Sequence, residues 1–384
     1  AEAERTLTAL ATRPQPNPQA LATLGRLRIQ QGESLAGIDY IRRSLDERPD
    51  DSQLQLQLAA AYVAAGDARR AAEVLEAIPE GDAAGSRDRL KVIITAALEG
   101  PAEAERQLDA ALARYPRDVD LLRLAAAHYG GAGNLDRARR YVEQALEVRP
   151  DDMSFKLGLA RLEIAGERLD EAERLVAAIL ERSPGDVPAM MLMAEVERRR
   201  GRDAELEGWL ERARAADPQA LEPRFALVRR ALAVGDAQRV RSLLTESANI
   251  APNDARAQLT LGELNAAAGR NAEAMDHLRR AASLDPGSPA VLLAMARVDL
   301  AEGRTAAARD ALRRATELAP DWLPSARTLV ALETREGNLA GALDVARRLR
   351  AKDPEGAASH LLEGDAYFGA GRPADAAAAY RVTS

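Results

Sequence analysis

Apolar residues recur at steps of three and four through most of the 384-residue chain, and the pattern is broken at regular intervals. In one stretch, Leu259, Leu261 and Leu264 mark the apolar face of an amphipathic helix of about fourteen residues. A glycine, Gly269, ends it, and a second amphipathic helix is expected over 272–284 before Pro286 stops the pattern. The same sentence of helix, glycine, helix and proline is written again and again.

The interval is constant. Proline occupies positions 116, 150, 184, 218, 252, 286, 320 and 354, each 34 residues after the last. Pro49 lies 67 residues before Pro116, two periods less one, which places the missing residue in the loop near Gly81 and Asp82. Gly66, Gly133, Gly201, Gly235, Gly269, Gly303, Gly337 and Gly371 form a second column. Gly32 extends it upstream, and Gly100 and Gly166 sit one place off. Glycine there supplies the left-handed residue that terminates a helix. Five residues on, a third column holds Ala71, Ala104, Ala138, Ala172, Ala274, Ala308, Ala342 and Ala376, where two helix axes must approach closely; Leu206 and Val240 break it. Each unit is a helix hairpin too small to bury its own apolar face, so it must stack on its neighbours.

These columns resemble the tetratricopeptide repeat family. Leu261–Pro286, "LGELNAAAGRNAEAMDHLRRAASLDP", carries the family's early Leu-Gly, its turn glycine, its second-helix alanine and its closing Asp-Pro. Gly364, Tyr367, Gly371, Ala376 and Tyr380 match in the last repeat. The family's early Trp is absent, and its first-helix glycine is replaced by Ala126, Ala160 and Val228. The resemblance implies an all-α fold, a right-handed α-solenoid superhelix of about ten 34-residue hairpins with partial repeats at both ends. One continuous array is expected over 1–384: the second helix of a truncated repeat at 1–15, about ten full repeats at 16–354 and a partial repeat at 355–384. The last segment stops without a polar capping helix, and the first residues, AEAERTLTAL, hold neither an initiating Met nor a leader. A fragment of a longer array is therefore expected, with self-association through uncapped ends as a further possibility to test.

Composition agrees with helices. Ala, Leu, Arg and Glu dominate, hydrophobic residues make up 47% and aromatics only 3%. With no cysteine, disulfides, thiolate catalysis and Cys-ligated zinc are excluded. A net charge of −7 argues against nucleic acid as a partner. No apolar run reaches the roughly 18 residues that cross a bilayer, so no membrane insertion by this segment is expected.

Chemistry is sparse. His128, His277 and His360 fall at different places in their repeats with no second ligand at metal spacing. The glycine-rich Tyr129–Asp136 segment follows a helix rather than a strand and lacks the Lys-Ser/Thr of a phosphate loop. No cofactor, metal or catalytic residue is expected. Met190, Met191 and Met193 cluster with Leu192 on one first helix, as core filler or as an adaptable patch.

The resemblance implies that first helices line a concave groove and that the ninth residue of each repeat points into it. That column reads Arg161, Glu195, Arg229, Glu263, Arg297, alternating in sign. Two readings stand: a ladder that fixes the register of stacked repeats, or a zwitterionic strip that grips a polar polymer or an extended peptide. Phe225, Phe368 and Met191 join the column as groove candidates. The Lys/Asn clamp with which some family members hold acidic chaperone tails is absent, and so sparse an aromatic set does not support tight sugar binding.

The expected function is a non-enzymatic scaffold that binds a peptide, helix or protein in its groove. The Ala/Arg/Leu-rich texture resembles bacterial envelope repeat proteins, those of exosortase (PEP-CTERM) systems and of polysaccharide exporters, which implies a role in exopolysaccharide or protein-sorting assemblies. That implies the periplasm or envelope, with the cytoplasm open. The alternative is the regulatory or substrate-recruiting arm of a glycosyltransferase- or sulfotransferase-like enzyme whose catalytic domain lies elsewhere.

Overall fold

The computed structural model describes residues 2–11, 17–31, 33–79, 84–320, 322–352 and 357–381. Among the described residues there are 23 α-helices and no strand. They form two compact units, Ala1–Pro184 and Gly185–Ser384.

The first unit opens with α1 (Glu2–Ala11) and continues as five hairpins. These are α2 (Pro18–Gln30) with α3 (Ser34–Glu47), α4 (Ser52–Ala64) with α5 (Ala68–Glu76), and α6 (Ala84–Leu98) with α7 (Pro101–Arg114). Then come α8 (Val119–Gly131) with α9 (Leu135–Val148) and α10 (Met153–Ala165) with α11 (Leu169–Arg182). The one-residue deficit expected near Gly81 lies outside the described residues, but α5 beside it is only 9 residues long.

The second unit has six hairpins. They are α12 (Val187–Arg199) with α13 (Asp203–Ala216), α14 (Glu222–Val234) with α15 (Ala237–Ile250), and α16 (Ala255–Ala267) with α17 (Asn271–Leu284). The others are α18 (Pro289–Ala301) with α19 (Thr305–Leu318), α20 (Leu323–Arg335) with α21 (Leu339–Lys352), and α22 (Ala357–Gly369) with α23 (Pro373–Arg381).

The column residues explain the boundaries. After five of the proline turns an aspartate caps the next first helix, at Asp51, Asp118, Asp152, Asp186 and Asp254. Asp186 accepts a hydrogen bond from the Ala189 N–H at 2.8 Å, and Asp254 one from Ala257 at 2.8 Å. At the other end the turn glycine is left-handed, as at Gly269 with φ 72°, and lets Arg270 N–H donate to the Asn265 carbonyl at 2.9 Å. The off-register glycine is instructive. In α10 the left-handed position stays in register and falls on Glu167 (φ 58°), while Gly166 keeps an ordinary φ of −83°. Glu167 is the one non-glycine with positive φ among the described residues.

The alanine column sits at the heart of each hairpin. Ala71, Ala104, Ala138, Ala172, Ala274, Ala308 and Ala342 are 0% exposed, and Leu206 and Val240 are also buried. At Gly262 the first helix comes so close to α17 that a Cβ would lie 2.6 Å from the side chain of Leu278. Within the second unit, α14 touches α16, α16 touches α18, α18 touches α20 and α20 touches α22. No second helix touches the next second helix to a like extent. From α14 to α22 the first helices therefore pack into a wall along one side of the unit, and second helices stand apart on the other.

Candidate functional site

In the second unit the charge column places one residue on each of four consecutive first helices. Arg229 on α14, Glu263 on α16 and Arg297 on α18 are exposed in the second unit, and Glu195 on α12 is half-buried. Arg161 on α10 is exposed in the first unit. No ion pair at 4.0 Å or less joins any two of these rungs among the described residues. Glu195 turns instead to its own helix, accepting hydrogen bonds from Arg198 at 2.6 Å and Arg199 at 3.0 Å. The hydrogen bond from Arg198 holds its carboxyl below the usual range, against the opposing effect of partial burial. Arg161, Arg229, Glu263 and Arg297 have no side-chain partner.

One cavity opens at the α14 end of the wall. It lies between α12 and α14, floored by α13, with a volume of about 520 Å³. Met191, Leu206, Leu210 and Ala226 give it an apolar lining, and Glu195, Asp203, Arg229 and Arg230 stand around it. Asp203 and Arg230 pair at 2.8 Å. Leu206 stands where most other second helices carry alanine, and it lines this opening. The helices α12 and α14 make no contact of the extent seen between α14 and α16. A smaller cavity of about 180 Å³ falls at Val240, the other break in the alanine column.

The remaining candidates divide. Met191 is half-buried at the cavity, whereas Met190 and Met193 are buried core. Phe225 does not offer a ring to the groove: it is 8% exposed and packs in the core with Leu206, Leu210, Leu244 and Leu261. Phe368 is 69% exposed on α22, one turn beyond Asp365, which occupies the ladder position in that hairpin. His277 faces Gln258 through Nδ1 at 2.8 Å, and His360 lies 3.1 Å from Arg350.

A second column went unread in the sequence. Two residues after the ladder stand Glu163, Glu197, Asp299 and Glu333, where Tyr129 and Tyr367 stand in other repeats. These carboxylates are 0%, 3%, 7% and 1% exposed. Arg168 holds Glu163, aided by Arg139 at 3.0 Å. Arg202 reaches Glu197 at 3.4 Å, and Arg304 reaches Asp299 at 2.8 Å. Glu333 accepts from Arg309 at 2.9 Å and from Asn338 at 2.8 Å. A buried carboxylate without such partners would lose several kcal/mol of solvation, about 3–5 kcal/mol when one partner is removed. The signal was available: an Arg or Asn lies five residues after each acid, at Arg168, Arg202, Arg304 and Asn338. The column ties first helices to their turns and neighbours.

Tyr129 makes a comparable staple in the first unit. Its hydroxyl donates towards Glu105 at 3.1 Å and Asp109 at 3.0 Å, and Arg137 stacks on its ring at 3.9 Å. Burial, followed by the Asp109 hydrogen bond, pushes its phenol above the ordinary value. Among the described residues, no group of three or more His, Asp or Glu is placed to hold a metal ion. None of the helices is long and apolar enough to cross a membrane.

Another depression lies among second helices. Thr316, Pro320, Leu329, Val345, Leu349 and Ala351 line about 360 Å³ between α19 and α21, over α20. The ion pair at its edge, Asp344 with Arg348 at 2.6 Å, is already satisfied.

Solved structures align over nearly the whole chain. The crystal structure of yeast Tom70 is 14% identical, covering 99% of this chain and 87% of that one, with a TM-score of 0.51; that likeness concerns the fold alone. A crystal structure of the APC/C hetero-tetramer Cut9-Hcn1 is 13% identical, with 99% and 88% covered and a TM-score of 0.42. None of the curated proteins compared with the chain matches it. Sequence profiles of the tetratricopeptide repeat match residues 36–87, 131–196 and 265–332, and a second such profile matches 225–289 and 332–383. With the hairpin stack, the turn glycines and these matches together, the chain belongs to the tetratricopeptide repeat family.

Proposed function

We propose that this chain is a non-catalytic scaffold that captures a protein or peptide along its wall of first helices. The observation that carries the reading is the row of unpartnered charges, Arg229, Glu263 and Arg297, beside an apolar cavity of about 520 Å³. A ladder that served only to lock repeats together would have its charges in contact. Here neighbouring rungs interact across solvent. At about 10 Å in water two unit charges attract by about 0.4 kcal/mol, less after salt screening. So weak an attraction leaves the charges available to a ligand. A preformed wall also loses little conformational freedom when a partner docks.

The finer setting, a bacterial envelope assembly for exopolysaccharide or protein sorting, rests on the alanine-, arginine- and leucine-rich texture of the sequence alone. That residues 1–384 make up one repeat array is proposed on the 34-residue register of the sequence.

The test is a selection of random displayed peptides on the immobilised protein, followed by photo-crosslinking of the selected peptides and mapping of the attached residues. Attachment to exposed positions of α12, α14, α16 and α18 is expected. Arg229→Glu should weaken those peptides while leaving the melting curve nearly unchanged. Attachment to the second helices, around Val345 and Leu349, would overturn the reading, as would a selection that yields no binder.

A further inference from the structure

We infer that the wall of the second unit reads an extended segment in the polyproline II conformation, with an apolar anchor and charges acidic, basic, acidic at every third residue. The inference rests on the proposed first-helix wall and names the ligand it takes.

The register comes from two lengths. Packed helices lie about 8–10 Å apart, and α14 contacts α16, which contacts α18. A polyproline II chain has three residues per turn and rises about 3.1 Å per residue, so equivalent side chains repeat every 9.3 Å or so along one face. One turn of ligand therefore spans one repeat of wall. A β-strand fails this match, because residues three apart point to opposite faces. An α-helix needs about six residues for the same distance.

The charges set the pattern. Arg229, Glu263 and Arg297 hold equivalent positions on consecutive first helices and lack side-chain partners. Their complement is an acidic, a basic and an acidic side chain at positions i, i+3 and i+6. The series stops at Ala331, the next residue of the column, so the readout spans three repeats.

The anchor comes from the cavity. Arg229 forms part of its border, so the apolar side chain must neighbour the first acidic one. Glu195 and Asp203 at the border are neutralised by Arg198 and Arg230, which leaves Arg229 as the uncompensated charge. Met191, Leu206 and Leu210 supply surface for an aromatic ring, and Met adapts to its shape.

The test uses four labelled peptides and fluorescence anisotropy with the full chain. The first is Phe-Pro-Glu-Pro-Ser-Lys-Pro-Ser-Glu, and the second is its reversal, Glu-Ser-Pro-Lys-Ser-Pro-Glu-Pro-Phe. The third inverts the charges, Phe-Pro-Lys-Pro-Ser-Glu-Pro-Ser-Lys. The fourth moves them to every second residue, Phe-Pro-Glu-Ser-Lys-Ser-Glu-Pro-Ser. One of the first two should bind about tenfold more tightly than the third and fourth. The triple variant Arg229→Glu, Glu263→Arg, Arg297→Glu should reverse the preference between the matched and charge-inverted peptides. These exposed residues make no internal pairs, so the variant should keep its helical circular dichroism and melting curve.

Equal binding of matched and inverted peptides, no reversal in the variant, or no binding by either matched peptide at about 1 mM would overturn the inference. The two readings fail separately. Selected peptides that attach to the first helices without this charge pattern refute the ligand assignment only. Attachment elsewhere refutes the wall itself.

Discussion

Replacing Glu167 with glycine should stabilise the protein, which is unusual for a change that removes a side chain from a folded structure. Glu167 has φ 58° at the end of α10. A non-glycine residue in that conformation loses about 1–2 kcal/mol to contact between its Cβ and the following carbonyl. Its acidic side chain also sits at the negative end of the helix dipole, a further few tenths of a kcal/mol or so. Against this, glycine gives the unfolded chain more freedom, about 0.4–1 kcal/mol. The difference favours Glu167→Gly by about 1 kcal/mol. A repeat array need not unfold in one step, so a local measure is preferable to a global midpoint. Native-state amide exchange in α10 and α11 should slow about fivefold, with distant amides little changed. The mirror experiment is Gly133→Glu, which installs the same residue at φ 77° and should speed exchange in α8 and α9. Unchanged or faster exchange in Glu167→Gly would refute the argument that backbone strain at this turn is borne by the folded state.

Gly262→Ala should destabilise by about 1–3 kcal/mol in urea titration, because the new methyl meets Leu278 at 2.6 Å and must displace α17. Arg309→Met should cost about 3 kcal/mol by leaving Glu333 short of charge, and Arg309→Met with Glu333→Gln should recover most of it, a coupling read from a double-mutant cycle. Burial first, then the nearby Arg280, holds His277 below its ordinary value of 6.5. The unfolded chain then binds the proton more tightly. Stability is fully present above about pH 6.5 and falls as pH drops through the window below it, a slope that His277→Gln should reduce in chemical denaturation between pH 7 and 5, roughly.

Much of the fold could be read from the chain alone, because helix geometry and repeat length are local properties. The 34-residue proline interval, the turn glycines and the alanine column place helices, turns and close contacts, and each is an independent consequence of backbone sterics. The charge column was legible for the same reason: equal positions in equal repeats fall on one face. What the local pattern could not decide was which neighbour each face meets. Phe225 and Met191 are both apolar and four residues before a ladder position, yet one is sealed in the core and the other borders a cavity. The difference is one of neighbours: Phe225 packs in the core with Leu244 and Leu261, whereas Met191 borders the opening between α12 and α14. The buried acids Glu163, Glu197, Asp299 and Glu333 looked like ordinary surface charge until the turn arginines and Asn338 closed over them.

Periodicity alone thus determined that this chain is a stack of helix hairpins, and where each hairpin turns. Only the tertiary structure decided that the alternating charges stand free of one another, that a cavity opens between α12 and α14, and that a left-handed turn falls on a glutamate. Repetition dictates what successive repeats share. Packing between helices depends on the volume of particular side chains at particular contacts, and those differ from repeat to repeat.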